Sequence, residues 1–84
     1  MDIYDLIDNV DSKEKLLEFL FYLQKDFKEN KDDWENIKIE DYLEGMEAWL
    51  NDYEGVYQNR GEEIPKNISW GFIAQVLLAA AHYE

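Results

Sequence analysis

The sequence contains no cysteine, one proline and one histidine. Without cysteine there is no disulfide framework, no thiol nucleophile and no thiolate metal ligand. The histidine, His82, has Ala79 three residues before it, so the Glu-x-x-His pattern of a helical-bundle metal centre is missing. No Ser or Cys stands at a matched position for His82 to activate. The four glycines, Gly45, Gly55, Gly61 and Gly71, are scattered and form no phosphate-cradling loop. Basic residues are few: 8 Lys+Arg stand against 20 Asp+Glu, a formal net charge of -12. Phosphate binding needs a basic patch, so that balance argues against nucleic acid as a partner. It argues equally against an anionic membrane surface. No apolar run approaches the roughly 20 residues of a membrane span. The opening Met1-Asp2-Ile3-Tyr4-Asp5 is acidic, so a secretory leader is not expected and the cytoplasm is the expected location.

What is present is a dense supply of core formers. Eighty-four residues make one small domain, which must bury much of its apolar surface to be stable. Hydrophobic residues are 46% of the chain, and three Trp, six Tyr and four Phe bury large areas each. This composition predicts an ordered chain despite the charge. The charge itself suits solubility, or a basic protein partner.

Hydrophobic periodicity predicts helices throughout and no sheet. Residues 2–8, alternating acids with Ile3, Tyr4, Leu6 and Ile7, predict a short N-terminal helical turn. Asp11 followed by Glu14 reads as a capping box opening a first long helix, from Ser12 to Asn30. Leu16, Leu20, Leu23 and Phe27 share one face of it, widened by Phe19. After a polar connector, Trp34 is expected to plug the gap between helices, and Asn36 to cap the second long helix. That helix is expected from Lys38 to Glu54, with Gly55 as its stop. Its predicted buried stripe is Ile39, Tyr42, Leu43, Met46, Trp49, Leu50 and Tyr53. Residues 56–67 read as irregular. A third long helix, from Ser69 to Tyr83, is apolar on two faces and is expected to be central. The fold expected is all-α: a compact bundle of three main helices plus a short N-terminal helix.

Few residues suggest chemistry. Glu40, Glu44 and Glu47 recur at helical spacing, with Glu54 on the same flank, and form an acidic row. Such a row can face a cation or a basic partner, but a solvated helix face explains it as well. Paired carboxylates carry little information in a chain with 20 acids. Trp34 and Tyr57 fall in predicted connectors and are candidates to line an aromatic ligand pocket. Phe21 and Tyr22 lie off the main stripe, where they either cover the N-terminal turn or form an exposed patch. The candidate partner-binding residues are therefore Glu40, Glu44, Glu47, Glu54, Phe21, Tyr22, Trp34 and Tyr57. No catalytic residue, metal or cofactor is expected.

The run Trp34-Glu35-Asn36, then Ile39-Glu40, Leu43-Glu44-x-Met46-x-Ala48-Trp49, Pro65, Ser69-Trp70 and a terminal Ala80-Ala81-x-Tyr83-Glu84 carries a family resemblance. It resembles a group of small acidic bacterial proteins classed as a domain of unknown function. Their shared features are the Trp-Glu-Asn element, an acidic-faced helix ending near Ala-Trp, and a C-terminal Tyr-Glu. The resemblance covers Trp34 to Glu84 and, more loosely, the first long helix. The connector before Trp34 is shorter here than in many members. The resemblance implies no activity and no catalytic residue.

These readings converge on a non-catalytic protein-interaction module, as a monomer or homodimer. Two alternatives are an immunity or inhibitor protein masking a basic toxin or nuclease site, and a small-molecule binder using an aromatic pocket.

Overall fold

The computed structural model describes residues 3–83. Asp2, expected in the N-terminal turn, and Glu84, the end of the Tyr-Glu pair, lie outside the described residues. Four helices follow one another: α1 (Ile3–Leu6), α2 (Lys13–Glu29), α3 (Ile39–Asn59) and α4 (Trp70–His82). Single 3-10 turns at Ile7–Asn9 and Lys31–Asp33 extend α1 and follow α2. The described residues contain no strand. The all-α bundle expected from periodicity is the observed fold.

Local chemistry sets most boundaries. The Ser12 hydroxyl accepts a hydrogen bond from the Lys15 amide at 3.2 Å and caps α2, so the cap is Ser12 and not Asp11. The Ser69 hydroxyl accepts from the Phe72 amide at 3.0 Å and caps α4. Helix α3 does not stop at Gly55. It runs through to Asn59, and the chain then turns at Gly61, whose φ of 73° favours glycine. A glycine inside a helix costs only about 1 kcal/mol. Continuing one more turn buries Tyr57, and that gain exceeds the cost of keeping Gly55 helical. Tyr57 is thus a helical core residue, not a connector residue.

Helix α4 is central. It packs most extensively against α3, and also against α2 and the Ile7–Asn9 turn, while α2 and α3 make no substantial contact with each other. Each face of α4 is covered within the chain. Ala74 lies with Ile3, Leu6, Val10, Phe19 and Leu23 in one buried cluster. Phe72 lies with Trp49 and Tyr57 in the other, with Tyr53 and Val76 packed against it. Four rings interlock there: Trp49–Phe72 at 5.7 Å, Tyr53–Phe72 at 5.2 Å, Trp49–Tyr53 at 5.8 Å and Tyr53–Tyr57 at 6.2 Å. Edge-on and offset ring pairs of this kind add to their area burial. The narrow polar strip of α4 is also used: Tyr57 Oη donates to Gln75 Oε1 at 2.7 Å.

The expected stripe of α3 splits in two. Tyr42, Trp49 and Tyr53 face α4 and Met46 is half-buried, whereas Ile39, Leu43 and Leu50 are exposed. An arc of about 120° is wider than one neighbouring helix covers. The molecule measures 34 × 28 × 18 Å. At interaxial spacings of about 8–10 Å, the shortest dimension holds two layers of helix, not three. Helices α2 and α3 flank α4 without substantial contact with each other, which leaves a valley between them.

Candidate functional site

The upper end of this valley is organised by Trp34-Glu35-Asn36. Trp34 sits between helices, as expected. Its ring meets Phe27 of α2 edge-on at 5.0 Å and stacks on Tyr42 of α3 at 6.2 Å. Its indole N–H donates to Asp26 Oδ2 at 2.8 Å. The next two residues close the end of α4. The last carbonyls of a helix have no partner within it. Here the Glu35 and Asn36 amides both donate to the Ala81 carbonyl, at 3.1 and 3.0 Å. Asn36 Nδ2 donates to the Ala80 and Tyr83 carbonyls, at 2.9 and 2.7 Å. Asn36 therefore does not cap α3, as its position before that helix suggested. It ties the C-terminus of α4 to the start of α3, and the N-cap position of α3, Lys38, has no side-chain cap.

Gly45 belongs to the same lock. A Cβ there would lie 2.5 Å from Asn36 Nδ2 and 2.8 Å from each of the Ala80 and Tyr83 carbonyl oxygens. Only glycine lets α3 approach the end of α4 this closely. Tyr42 adds a further tie, donating its hydroxyl to the Leu77 carbonyl at 2.7 Å, and burial raises its pKa above the usual 10.0. The hydroxyl of Tyr83 donates to Asp52 Oδ2 at 2.6 Å, and this bond, helped by desolvation and the Asp52 charge, raises its pKa above 10.0.

Beneath this lock lies an apolar cleft of about 520 Å³. Leu23, Gln24, Phe27 and Lys28 of α2 form one wall. Trp34, Asn36, Ile37 and Lys38 form its end, and Ile39 and Tyr42 of α3 form the other wall. No acidic residue lines it. Exposed apolar side chains stand at neighbouring helix positions on both walls. At about 100° per residue, Leu17 falls between Gln24 and Lys28 on α2, with Phe21 beside them. On α3, Ile39, Leu43 and Leu50 fall within about 40° of one another. Leu17 is 55% exposed, Phe21 61%, Ile39 71% and Leu43 54%. Trp70, at the start of α4, is also exposed.

The predicted partner-binding residues separate. Trp34 lines the cleft while serving the fold. Glu40, Glu44, Glu47 and Glu54 are exposed along α3, next to the Ile39–Leu43–Leu50 edge. Phe21 and Tyr22 divide the two roles left open for them. Tyr22 is half-buried against the cluster that holds Ile3 and Leu6, and Phe21 is exposed beside it, with ring centroids 5.3 Å apart. Tyr57 lies in the core, away from the cleft. Sequence reasoning misses Leu17, Ile37, Ile39, Leu43 and Trp70 as surface residues. Periodicity places Ile39 and Leu43 in the core because an exposed apolar rim has the same period as a buried one.

Among the described residues, those lining the cleft include no Asp, Glu, His, Ser or Cys. His82 Nε2 lies 3.2 Å from the Tyr4 hydroxyl, and its ring is 6.1 Å from that of Trp34. Among the described residues, no group of three or more His, Cys, Asp or Glu is arranged to hold a metal. Among them, too, no helix is long and apolar enough to cross a membrane.

A family model matches residues 12–84, from the Ser12 cap of α2 onward. The chain belongs to a family of unknown function, DUF7660. The match takes in the whole α2–α3–α4 arrangement, the lock at Trp34-Glu35-Asn36 and both walls of the cleft. Helix α1 and the turn after it lie outside it. No curated protein and no solved structure matches the chain.

Proposed function

We propose that the protein is a non-catalytic protein-interaction module whose docking face is the valley between α2 and α3. The observation that carries this reading is an apolar cleft lined by Ile37 and Ile39, with exposed Leu17 and Phe21 on α2 and exposed Leu43 on α3 at helix positions next to its walls. Single exposed apolar residues are ordinary on a protein surface, but contiguous patches mark interaction sites. The cost of keeping them exposed is greatest in a chain this small, where every apolar side chain left in water is withheld from the core. A photo-cross-linking residue at Leu43 in living cells should give a discrete adduct, and one at Glu63 should not. Substituting Leu17 and Ile39 by Ser should abolish the Leu43 adduct. Equal labelling from both positions would refute the docking face.

The cleft favours one second reading, a small apolar ligand. Its volume of about 520 Å³ falls within the usual range for ligand pockets, and Phe27, Trp34 and Tyr42 offer ring faces. A ligand held there quenches Trp34 and leaves the Leu43 adduct unchanged, which separates the two readings.

A further inference from the structure

We infer that the occupant of the valley is a basic amphipathic helix of another protein, with its apolar side on the valley and a Lys/Arg flank along Glu40, Glu47 and Glu54. The inference rests on the docking face proposed above and names its partner's chemistry.

The argument is one of adjacency. Around α3, at about 100° per residue, three zones follow in order. First comes the face buried on α4, then the exposed apolar rim, then the acidic row. Glu47 and Glu54 fall within about 40° of Leu43, and Glu40 within about 60°. A helix resting on the rim thus brings its neighbouring flank against the carboxylates. Complementary charge beside an apolar seat gives orientation as well as attraction. Of the α2 residues that line the cleft, the charged one is Lys28, whereas three exposed carboxylates flank the α3 rim, so a basic flank of the partner is better accommodated on the α3 side. From Glu40 to Glu54 is about 21 Å along the helix axis, which matches a partner of about 14 residues, four turns. A second copy of this chain is a poorer fit, since each copy carries a net charge of -12.

The test uses three 14-residue helical peptides against the full chain. One has Leu at helix-face spacing and Lys on one flank. The second has Glu in place of Lys, and the third keeps Lys but has Ser in place of Leu. Binding is read by amide NMR shifts and tryptophan fluorescence, at low and physiological salt. The Leu/Lys peptide should shift Leu17, Ile39 and Leu43. Its affinity should fall roughly tenfold in E40Q/E47Q/E54Q, as expected for losing three exposed charge pairs. It should fall similarly in L17S/L43S, whose charge is unchanged. The variant E29Q/D32N/E63Q, with the same charge change away from the valley, should bind like the parent. If the Leu/Glu peptide binds as tightly in the valley, the basic partner is wrong and the docking face stands. If no peptide shifts the valley, both fall. A dimer in sedimentation that L17S/L43S dissociates would make a second copy the occupant and overturn the inference.

Discussion

The sharpest test of the structure is a pair of identical substitutions in one helix. Gly45 and Gly55 both lie inside α3, and on helix propensity alone either should gain about 1 kcal/mol as Ala. Their surroundings are opposite. A Cβ on Gly55 meets nothing within 4 Å, so Gly55→Ala should stabilise by about 0.5–1 kcal/mol. A Cβ on Gly45 lands 2.5 Å from Asn36 Nδ2 and 2.8 Å from two carbonyl oxygens. Real Cβ atoms do not approach that closely, so the end of α4 must move away. Displacing it breaks the Asn36 bonds to Ala80 and Tyr83. A part-buried carbonyl left without a partner costs about 1–3 kcal/mol. After the propensity gain, Gly45→Ala should destabilise by about 2–4 kcal/mol.

Urea unfolding followed by circular dichroism and by tryptophan fluorescence measures both. The midpoint should rise for Gly55→Ala and fall for Gly45→Ala, at constant slope. In thermal scans a domain of this size shifts about 4–8 °C per kcal/mol, so the two variants should lie well apart. The double variant Gly45→Ala/Asn36→Ala sharpens the test. Removing Asn36 takes away one colliding atom and the bonds at stake, so the two substitutions should be strongly non-additive. If Gly45→Ala is as stable as the parent, or if the two losses simply add, the α3–α4 lock is wrong.

Three further outcomes rest on the same contacts. Both Tyr42 and Tyr83 hold their protons more tightly when folded, since their pKa values are raised above 10.0. Above that pH the unfolded chain binds fewer protons than the folded one, so stability is intact below about pH 10 and falls as pH rises beyond it. Urea midpoints at pH 9 and 11 should show the fall, and Tyr42→Phe should reduce it while losing about 0.5–1.5 kcal/mol at pH 7. Ser69→Ala, which removes the hydroxyl that caps α4, should cost about 1 kcal/mol by the same urea titration. Trp34→Phe keeps a ring between Phe27 and Tyr42 but loses the bond to Asp26. It should cost about 1–3 kcal/mol, and no loss would show that the bond adds nothing.

Local signals in the sequence were enough for the helices and for Ser69 as a cap, because periodicity and capping act over a few residues. They failed where a long-range contact decided the outcome. Gly55 looked like a stop, since nothing nearby shows that Tyr57 would find Gln75, 18 residues away, and the rings of α3 and α4. Asn36 looked like a cap for the helix it precedes. Its partners stand 44 and 47 residues on, and no spacing rule reaches that far. The valley was illegible for a different reason. Ile39, Leu43 and Leu50 keep the period of a core stripe, and whether such a stripe is buried depends on how many helices surround it. Only the Glu40–Glu47–Glu54 row was legible, without the apolar rim that gives it an orientation.

This division separates residues that the fold explains from those it does not. The Trp-Glu-Asn element resembles a signature, and signatures invite functional readings. Here each of its residues has a structural use: Trp34 bridges α2 and α3, and Glu35 and Asn36 satisfy the carbonyls that end α4. Tyr57, Trp49 and Phe72 are likewise accounted for by the core. The exposed Leu17, Phe21, Ile39 and Leu43 are not. Polar residues at these four positions would remove no hydrogen bond named above, would cost the fold the edge-on contact of Phe21 with Tyr22, and would suit an acidic surface better. A side chain that the fold does not need, in a position where water penalises it, is where a partner's contribution should be sought. Substitution by Gln, a comparable helix former, at those four positions should therefore change the urea midpoint little and impair binding, whereas changes at Trp34 or Asn36 should lower the midpoint first.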